Sequence, residues 1–245
     1  MKIGVPRESA AGERRIALVP ESAKKLVEQG NEVVIEKARS ASVDFPDAAY
    51  AAAGARIAAD AGEVLAGSDL VLKIQPPSEA EIASLRTGAV LVAILQPFQN
   101  GDTVRRLAEK SVTSFSLDLL PRITRAQAMD VLSSMSTIAG YKGVLIAAAA
   151  LPKMVPLLMT AAGTLKPARF LILGVGVAGL QAIATARRLG AVVEAFDIRP
   201  AVKEQVESLG ARFVAHEAIQ SGGETKGGYA TELTPEQQAR QREAL

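Results

Sequence analysis

Short runs of apolar residues alternate with amphipathic stretches from the start of the chain. Residues 20–30 and 102–110 have helical spacing, and Gly30 is a typical helix stop. Near-continuous apolar strands separated by helices are typical of a parallel sheet covered on both faces. The first part of the chain is therefore predicted to be an α/β unit. Its predicted strands are residues 2–5, 32–36, 55–58, 69–74, 89–95 and 113–120.

The pattern changes after Leu120. Residues 121–151 predict a long helix or a pair of helices, with no strand before residue 170. A second unit then begins, with predicted strands at 170–173, 191–196 and 211–215 and helices between them. We therefore expect an α/β protein of two Rossmann-like parallel-sheet domains joined by a long helical connector. The expected domains are residues 1–125 and residues 126–245, the second containing the connector.

Composition narrows the functional classes. The 245 residues are 49% hydrophobic and 22% charged, which is ordinary for a globular protein, and the net charge of +2 predicts no nucleic-acid surface. The absence of cysteine excludes disulfides, thiolate metal sites and cysteine nucleophiles. Prolines and a lysine interrupt the apolar region 143–163, so no transmembrane segment is expected. A strand-like run follows Met1 at once, so no signal peptide is expected either.

The strongest motif is a glycine turn after the strand at 170–173. Gly174, Gly176 and Gly179 match G-x-G-x-x-G, and an amphipathic helix follows them. In a dinucleotide-binding turn the first glycine permits the tight turn, the second lets backbone N–H groups approach a pyrophosphate, and the third allows close packing of helix on strand. The helix N-terminus also favours phosphate. The alternative, a tight turn without a ligand, is less favoured because every flanking element fits.

Asp197 ends the next strand and can accept hydrogen bonds from the ribose hydroxyls of adenosine. A 2′-phosphate would be repelled there, which favours NAD(H). Arg199 is the complication, because a nearby arginine can accommodate that phosphate.

Only the first mononucleotide half of the second unit is expected within the chain. A glycine-rich loop containing Tyr229 follows the third predicted strand, and residues 234–237 predict a final helix with Thr234 as its N-cap. We therefore expect the second domain to be truncated. The first strand would then form a sheet edge that invites self-association, and NADH would bind weakly.

With these motifs placed, the whole chain resembles the NAD(H)-binding component (the alpha subunit, domain I) of proton-translocating NAD(P) transhydrogenase, a relative of alanine dehydrogenase. Agreement is weaker over residues 1–120. The matching stretches are "PRITRAQAMDVLSSMSTIAGY" (121–141), "MTAAGTLKPARFLILGVGVAGLQAIATARRLGAVV" (159–193), "VKEQVESLGARF" (202–213) and "GGYATE" (227–232).

The resemblance implies two α/β domains that face each other across a cleft for the nicotinamide ring. It implies that Arg122, Gln127 and Asp130 line this cleft as catalytic residues. The local sequence also allows another interpretation: Thr124 and Gln127 form a capping box, and Arg122 is a surface cation near Asp130. Without the family, Gln127, Asp130 and Ser134 are predicted on one face of a helix. The residues implied to contact the cofactor are Ser133, Gly174, Gly176, Val177, Gly179, Asp197, Ile198, Arg199 and Tyr229.

The resemblance also bears on which reaction is catalysed. Alanine dehydrogenases carry a histidine after the strand that matches 89–95, where this chain has Gln96 and Pro97. The one histidine, His216, is predicted to lie in a loop. Hydride transfer between two nicotinamide rings balances without a proton, so no general acid is needed. Arg15 and Lys73 match positions that hold the substrate carboxylate in alanine dehydrogenases.

The implied cofactors are NAD(H) on this chain and NADP(H) on a partner subunit, with no metal. The implied partners are the NADP-binding and membrane subunits of the transhydrogenase, and a second copy of this chain in a homodimer. The implied location is peripheral, on the cytoplasmic face of the inner membrane. Two alternatives remain open: an amino-acid dehydrogenase of the alanine dehydrogenase type, and a truncated NAD-binding module without catalytic activity.

Overall fold

The structure is a computed structural model that describes residues 1–37, 45–214, 234–236 and 239. Contacts divide the chain into two units, Met1–Asp130 and Val131–Leu245. The predicted domain boundary at 125/126 and the division by contacts at 130/131 both fall in the segment that follows the last strand of the first unit.

The first unit alternates strands and helices. Its strands are β1 (Lys2–Val5), β2 (Glu32–Glu36), β3 (Arg56–Ala58), β4 (Leu70–Leu72), β5 (Val90–Ala93) and β6 (Thr113–Ser116). Its helices are α1 (Pro20–Glu28), α2 (Asp47–Ala52), α3 (Ala61–Gly67), α4 (Glu79–Ser84) and α5 (Gly101–Glu109), with 3-10 helices at Leu117–Leu119 and Thr124–Met129.

The six strands form one parallel sheet in the order β3-β2-β1-β4-β5-β6. Ile3 on the central strand pairs with Val33 on one side and with Leu70 on the other. Val33, Val71 and Leu91 are fully buried, as expected for strands with helices on both faces. The order reverses at β1 and β4, so the carboxyl ends of these strands flank a crevice of the kind that binds ligands in α/β folds. The α/β fold class is confirmed.

The second unit contains α6 (Val131–Ala150), α7 (Val177–Arg188) and α8 (Lys203–Ser208), with a 3-10 helix at Pro200–Val202. Its strands are β7 (Leu158–Thr160), β8 (Gly163–Leu165), β9 (Arg169–Leu173), β10 (Val192–Phe196) and β11 (Arg212–Phe213). The last three form a parallel sheet in the order β11-β10-β9. Among the described residues β9 is therefore an edge strand, and its Leu171 and Leu173 side chains are exposed.

The connector is a pair of helices, one of the two forms predicted for it. A 3-10 helix ends at Met129, Asp130 has the non-helical angles φ −74° and ψ 86°, and only then does α6 begin. The prediction of no strand before residue 170 was wrong, because β7 and β8 form an antiparallel hairpin at 158–165. These strands are three residues long and mostly exposed, so they lack the burial that produces an alternating pattern.

Helix α6 packs against α7 at a point where only glycine fits. A Cβ atom on Gly140 would lie 2.1 Å from the carbonyl oxygen of Ala178, in the first turn of α7. The buried side chain of Val144, one turn further along α6, joins the apolar core around Ile183 and Val193. The long helix therefore fixes the N-terminal end of α7, which follows the glycine turn.

Helix α6 is also the one helix of the described residues that is long and apolar enough to cross a membrane. The most apolar 18-residue window of this helix has a mean hydropathy of 1.3, and 11% of that window is buried. Length and composition alone are weak evidence for a span. The helix ends at Ala150, ahead of Pro152.

Candidate functional site

The glycine turn joins β9 to α7 as the sequence predicts. Gly174 has φ +89°, a left-handed conformation in which an L side chain is strained. A Cβ atom on Gly179 would lie 1.9 Å from the carbonyl oxygen of Gly174, so the third glycine packs directly on the turn. Gly176 is the N-cap of α7, and a Cβ atom there would meet nothing within 4 Å. The open space lies in front of first-turn N–H groups that have no partner within the helix.

Asp197 lies beside this turn, and four protein donors contact its two carboxylate oxygens. Its Oδ2 atom accepts a hydrogen bond from the Val175 backbone N–H at 2.7 Å. Its Oδ1 atom accepts one from the Arg199 backbone N–H at 2.8 Å. The Arg199 guanidinium adds Nε to Oδ1 at 3.0 Å and Nη2 to Oδ2 at 3.1 Å. The Asp197 and Arg199 side chains are only 7% and 15% exposed, so this pair is largely shielded from water.

These contacts keep Asp197 ionised. Burial, the strongest single influence, works against the charge, but hydrogen bonds from the Arg199 side chain and from the Val175 and Arg199 backbones together outweigh it. The pKa of the Asp197 carboxyl therefore lies below its usual value. Arg199 also donates from Nη2 to the Val175 carbonyl oxygen at 3.2 Å, so the guanidinium ties the end of β10 to the glycine turn.

A separate pocket of about 290 Å³ lies in the first unit. It brings together Arg122, Gln127 and Asp130, three of the predicted site residues. The backbone N–H of Asp130 donates to the Gln127 carbonyl oxygen at 3.3 Å. The other lining residues are Pro121, Ile123, Thr124 and Ala126.

Two local predictions for this segment were wrong. The 3-10 helix is capped at Ile123 and has no side-chain capping hydrogen bond, so Thr124 and Gln127 do not form a capping box. Gln127, Asp130 and Ser134 do not share one helix face either, because Asp130 separates the 3-10 helix from α6. A 3-10 turn has three residues and not 3.6, so the expected spacing of side chains is lost.

Lys73 and Arg15 are both paired with carboxylates. The Lys73 ammonium is 1% exposed and lies 2.8 Å from Glu81 and 3.5 Å from Glu8. Arg15 makes a two-pronged contact with Glu13, at 2.8 Å from Nε and 2.6 Å from Nη2. Neither cation is therefore an isolated positive charge that awaits a substrate carboxylate.

Gln96 lies just beyond the carboxyl end of β5, in a loop that is tied down. Its φ is +48°, and its backbone N–H donates to the Asp118 carboxylate at 3.3 Å. Asn100 donates to the Leu95 and Gln96 carbonyl oxygens. This is the position at which the resemblance places a histidine in alanine dehydrogenases, and the amide side chain of Gln96 cannot exchange a proton near neutral pH.

Of the other predicted cofactor contacts, two lie near the glycine turn and one lies on α6. Val177 begins α7 and is 40% exposed, and Ile198 is half-buried between Asp197 and Arg199. Ser133 lies in the first turn of α6, where its carbonyl oxygen accepts a hydrogen bond from Thr137. Tyr229 and His216 lie outside the described residues.

The sequence prediction missed two residues that shape the glycine turn. Val175 supplies the N–H that binds Asp197 and the carbonyl oxygen that binds Arg199, both through its backbone, which no side-chain pattern reveals. Gly140 carries a signal that could have been used: a glycine inside an apolar helix often marks a close contact with another backbone.

Comparison with known proteins gives a consistent result for both units. The family model described as "Alanine dehydrogenase/PNT, N-terminal domain" matches residues 4–139, and the one described as "Alanine dehydrogenase/PNT, C-terminal domain" matches residues 143–243. An NAD(P) transhydrogenase alpha-subunit protein of Rhodospirillum rubrum is 48% identical over the whole of this chain, which spans 65% of that relative's length.

Two solved structures are similar over most of the chain. A transhydrogenase from Sinorhizobium meliloti is 47% identical with a TM-score of 0.85, over 89% of this chain and 62% of that one. An L-alanine dehydrogenase is 28% identical with a TM-score of 0.78, over 90% of this chain and 62% of that one. The similarity to the transhydrogenase is thus greater in both sequence and structure.

Proposed function

The chain belongs to the alanine dehydrogenase/PNT family, and on that premise we propose that it is the NAD(H)-binding component of a proton-translocating, Re/Si-specific NAD(P) transhydrogenase. The observation that carries the proposal is the glycine turn with Asp197 at its side. The turn leaves open space at Gly176, and the shielded Asp197 carboxylate beside it suits the ribose hydroxyls that acidic residues bind in Rossmann domains.

The residues around the turn fit NAD(H). The first-turn N–H groups of α7 and the helix dipole suit a pyrophosphate. The Asp197 carboxylate favours a free 2′-hydroxyl over a 2′-phosphate by charge. NADP(H) would then be held by a partner subunit, and the proton pathway by membrane subunits. In that assembly this chain lies on the cytoplasmic face of the inner membrane.

The two nucleotides supply hydride exchange between their nicotinamide rings when bound, a reaction without a net proton. The chain's own part in such a reaction is to hold the ring in position and to exclude water. Arg122, Gln127 and Asp130 share one pocket in the first unit, and we assign them this orienting role, with Ser133 and Tyr229 as further contacts to the nucleotide.

The chain is also proposed to form a homodimer. The second unit exposes several large apolar side chains, among them Ile138 and Ile146 on α6 and Met159 on β7, which are 56%, 59% and 72% exposed. Apolar surface of this kind is typical of a surface that another protein covers. A second copy would bury it, and α6 would then lie in a protein interface and not in a membrane.

The competing function is an amino-acid dehydrogenase. The test mixes the purified chain with a transhydrogenase's NADP(H)-binding component and follows hydride transfer from NADPH to the acetylpyridine analogue of NAD⁺ by absorbance. The same chain is assayed alone for NAD⁺ reduction by alanine. Transfer to the analogue without alanine oxidation is the expected result. Alanine oxidation without transfer would establish the dehydrogenase, and NADH binding without either activity would indicate a binding module.

Within that assay, Arg122→Ala and Asp130→Asn should lower the rate of hydride transfer roughly tenfold or more, because a misplaced ring slows the reaction itself. They should weaken NADH binding by a smaller factor. Arg125→Ala is the matched control, since Arg125 is an exposed arginine of the same 3-10 helix that does not line the pocket. Equal rate losses in all three variants would show that the pocket residues only stabilise the segment.

A further inference from the structure

The Asp197 carboxylate has no acceptor capacity left in this structure. An ionised carboxylate offers about four lone-pair positions, and four protein donors occupy them: the backbone N–H groups of Val175 and Arg199, and Nε and Nη2 of Arg199. The proposed function requires the same two oxygens to accept hydrogen bonds from the ribose of a dinucleotide. Both arrangements cannot hold at once.

The four donors are not equally replaceable. The Val175 N–H belongs to the glycine turn, and the Arg199 N–H follows directly from the path of the chain after β10. The two guanidinium donors sit at the end of a flexible side chain with several rotatable bonds. A ribose carries two vicinal hydroxyls, so two ligand donors would replace two arginine donors while the backbone donors stay in place.

We propose that Arg199 gates the ribose site: its guanidinium occupies the Asp197 carboxylate, and a ligand with free ribose hydroxyls binds by displacing it. This inference rests on the proposed function, in which Asp197 binds the ribose. The apparent affinity for such a ligand is then reduced, because only the molecules in which the arginine has left the carboxylate are competent to bind it. The arginine and the ribose hydroxyls compete for the same two oxygens.

A positioning role for Arg199 makes the opposite prediction. If the guanidinium held Asp197 in the orientation that binds ribose, its removal would weaken the contact with the hydroxyl. The sign of the coupling between Arg199 and the 2′-hydroxyl therefore separates the two roles. Comparing two ligands with the same phosphates also cancels the attraction of Arg199 for the diphosphate.

The experiment measures the dissociation constants of ADP and 2′-deoxy-ADP by calorimetry for the unaltered chain, Arg199→Ala and Arg199→Lys. The gate predicts that the preference for ADP over 2′-deoxy-ADP rises about fivefold in Arg199→Ala. It should rise less in Arg199→Lys, whose single ammonium cannot cover both oxygens as the planar guanidinium does. Asp197→Asn, combined with each Arg199 variant, is the control and should abolish the difference between the backgrounds.

An unchanged or reduced preference for ADP in both Arg199 variants would overturn the gate and leave the proposed function standing, provided that the unaltered chain binds NADH. Failure of the unaltered chain to bind either NADH or ADP would overturn the proposed function and the gate with it. Arg199→Lys keeps the charge, so it serves as the reference if Arg199→Ala fails to fold.

Discussion

At the scale of single residues, the three positions of the glycine turn hold glycine for different reasons. Gly174 is needed for its left-handed backbone, and Gly179 for the contact of its helix with the turn. Gly176 has an ordinary φ of −82° and faces open space. The described residues therefore do not require a glycine at Gly176, and ligand approach is the proposed reason for it.

This difference gives a prediction. Gly176→Ala should change the free energy of unfolding by less than about 1 kcal/mol, because the added Cβ meets nothing. It should nevertheless weaken NADH binding at least tenfold, since the methyl group occupies the approach to the helix N-terminus. Urea unfolding and calorimetric titration measure the two quantities. Gly174→Ala is the comparison and should lose stability itself. Unimpaired NADH binding by Gly176→Ala would mean that the pyrophosphate lies elsewhere.

A second residue-scale prediction concerns Glu13. Hydrogen bonds from the Arg15 side chain, helped by Gln75 and the Arg15 backbone, overcome the opposing effect of burial and lower the pKa of Glu13 to about 2. A carboxyl with a lowered pKa stabilises the fold above its ordinary value of 4.5, and this contribution is lost as the pH falls toward about 2. Glu13→Gln should therefore reduce the free energy of unfolding by about 1–2 kcal/mol at pH 7, and by progressively less below pH 4.5.

Urea unfolding of both proteins across this pH range tests the effect. Glu109→Gln, at the exposed end of α5, is the matched control and should change little at any pH. A constant loss in Glu13→Gln from pH 7 to pH 3 would show that the ion pair with Arg15 does not contribute.

The contacts of Asp197 show which part of the candidate site the sequence does not predict. The glycine spacing predicts the turn, and the apolar run before Asp197 predicts the strand that Asp197 follows. The occupation of the Asp197 carboxylate depends on the rotamer of Arg199 and on the Val175 backbone, and no spacing rule encodes these. The sequence presents Asp197 and Arg199 as rival determinants of nucleotide specificity, whereas the structure joins them in one ion pair.

At the scale of elements, apolar periodicity predicts the buried strands and the helical connector, and it misses short exposed elements. Strands β1 to β5 lie within the predicted runs, because burial makes most of these runs apolar, although the edge strand β3 exposes Arg56. Residues 117–119 were predicted as strand and are a 3-10 helix, and the hairpin of β7 and β8 was missed. Such elements are short and exposed, and their hydrogen bonds depend on tertiary context more than on side-chain pattern.

The contact between α6 and α7 yields an element-scale prediction from two glycines of one helix. Gly140→Ala should destabilise the second unit by about 1–3 kcal/mol, because the methyl group would clash with the Ala178 carbonyl. Gly143→Ala meets nothing within 4 Å and should be neutral or stabilising by up to about 1 kcal/mol through helix propensity. Urea unfolding followed by circular dichroism compares them. Equal effects of the two substitutions would mean that α6 does not pack closely on α7.

At the scale of the whole molecule, the two units have separate cores and separate sheets. The predicted cofactor contacts fall in both units: Arg122, Gln127 and Asp130 in the first, and the glycine turn and Asp197 in the second. The two parallel sheets were predictable, since they follow from alternating strands and helices, whereas the antiparallel hairpin of β7 and β8 was not. The placement of one unit against the other follows from no pattern in the sequence, so the shared cleft stays a prediction.

Because the two units have separate cores, NADH binding is expected to stabilise one unit more than the other. NADH at 100 times its dissociation constant should stabilise the unit that holds the glycine turn by about 2.7 kcal/mol. Hydrogen exchange of the buried amides in β10 should then slow roughly 100-fold, while those in β2 should not change, because separate cores allow each unit to unfold alone. Local slowing at residues 122–130 would add direct support for the nicotinamide pocket. If the amides of β2 slow as much as those of β10, the two units unfold as one cooperative body, and binding at the turn is then felt throughout the chain.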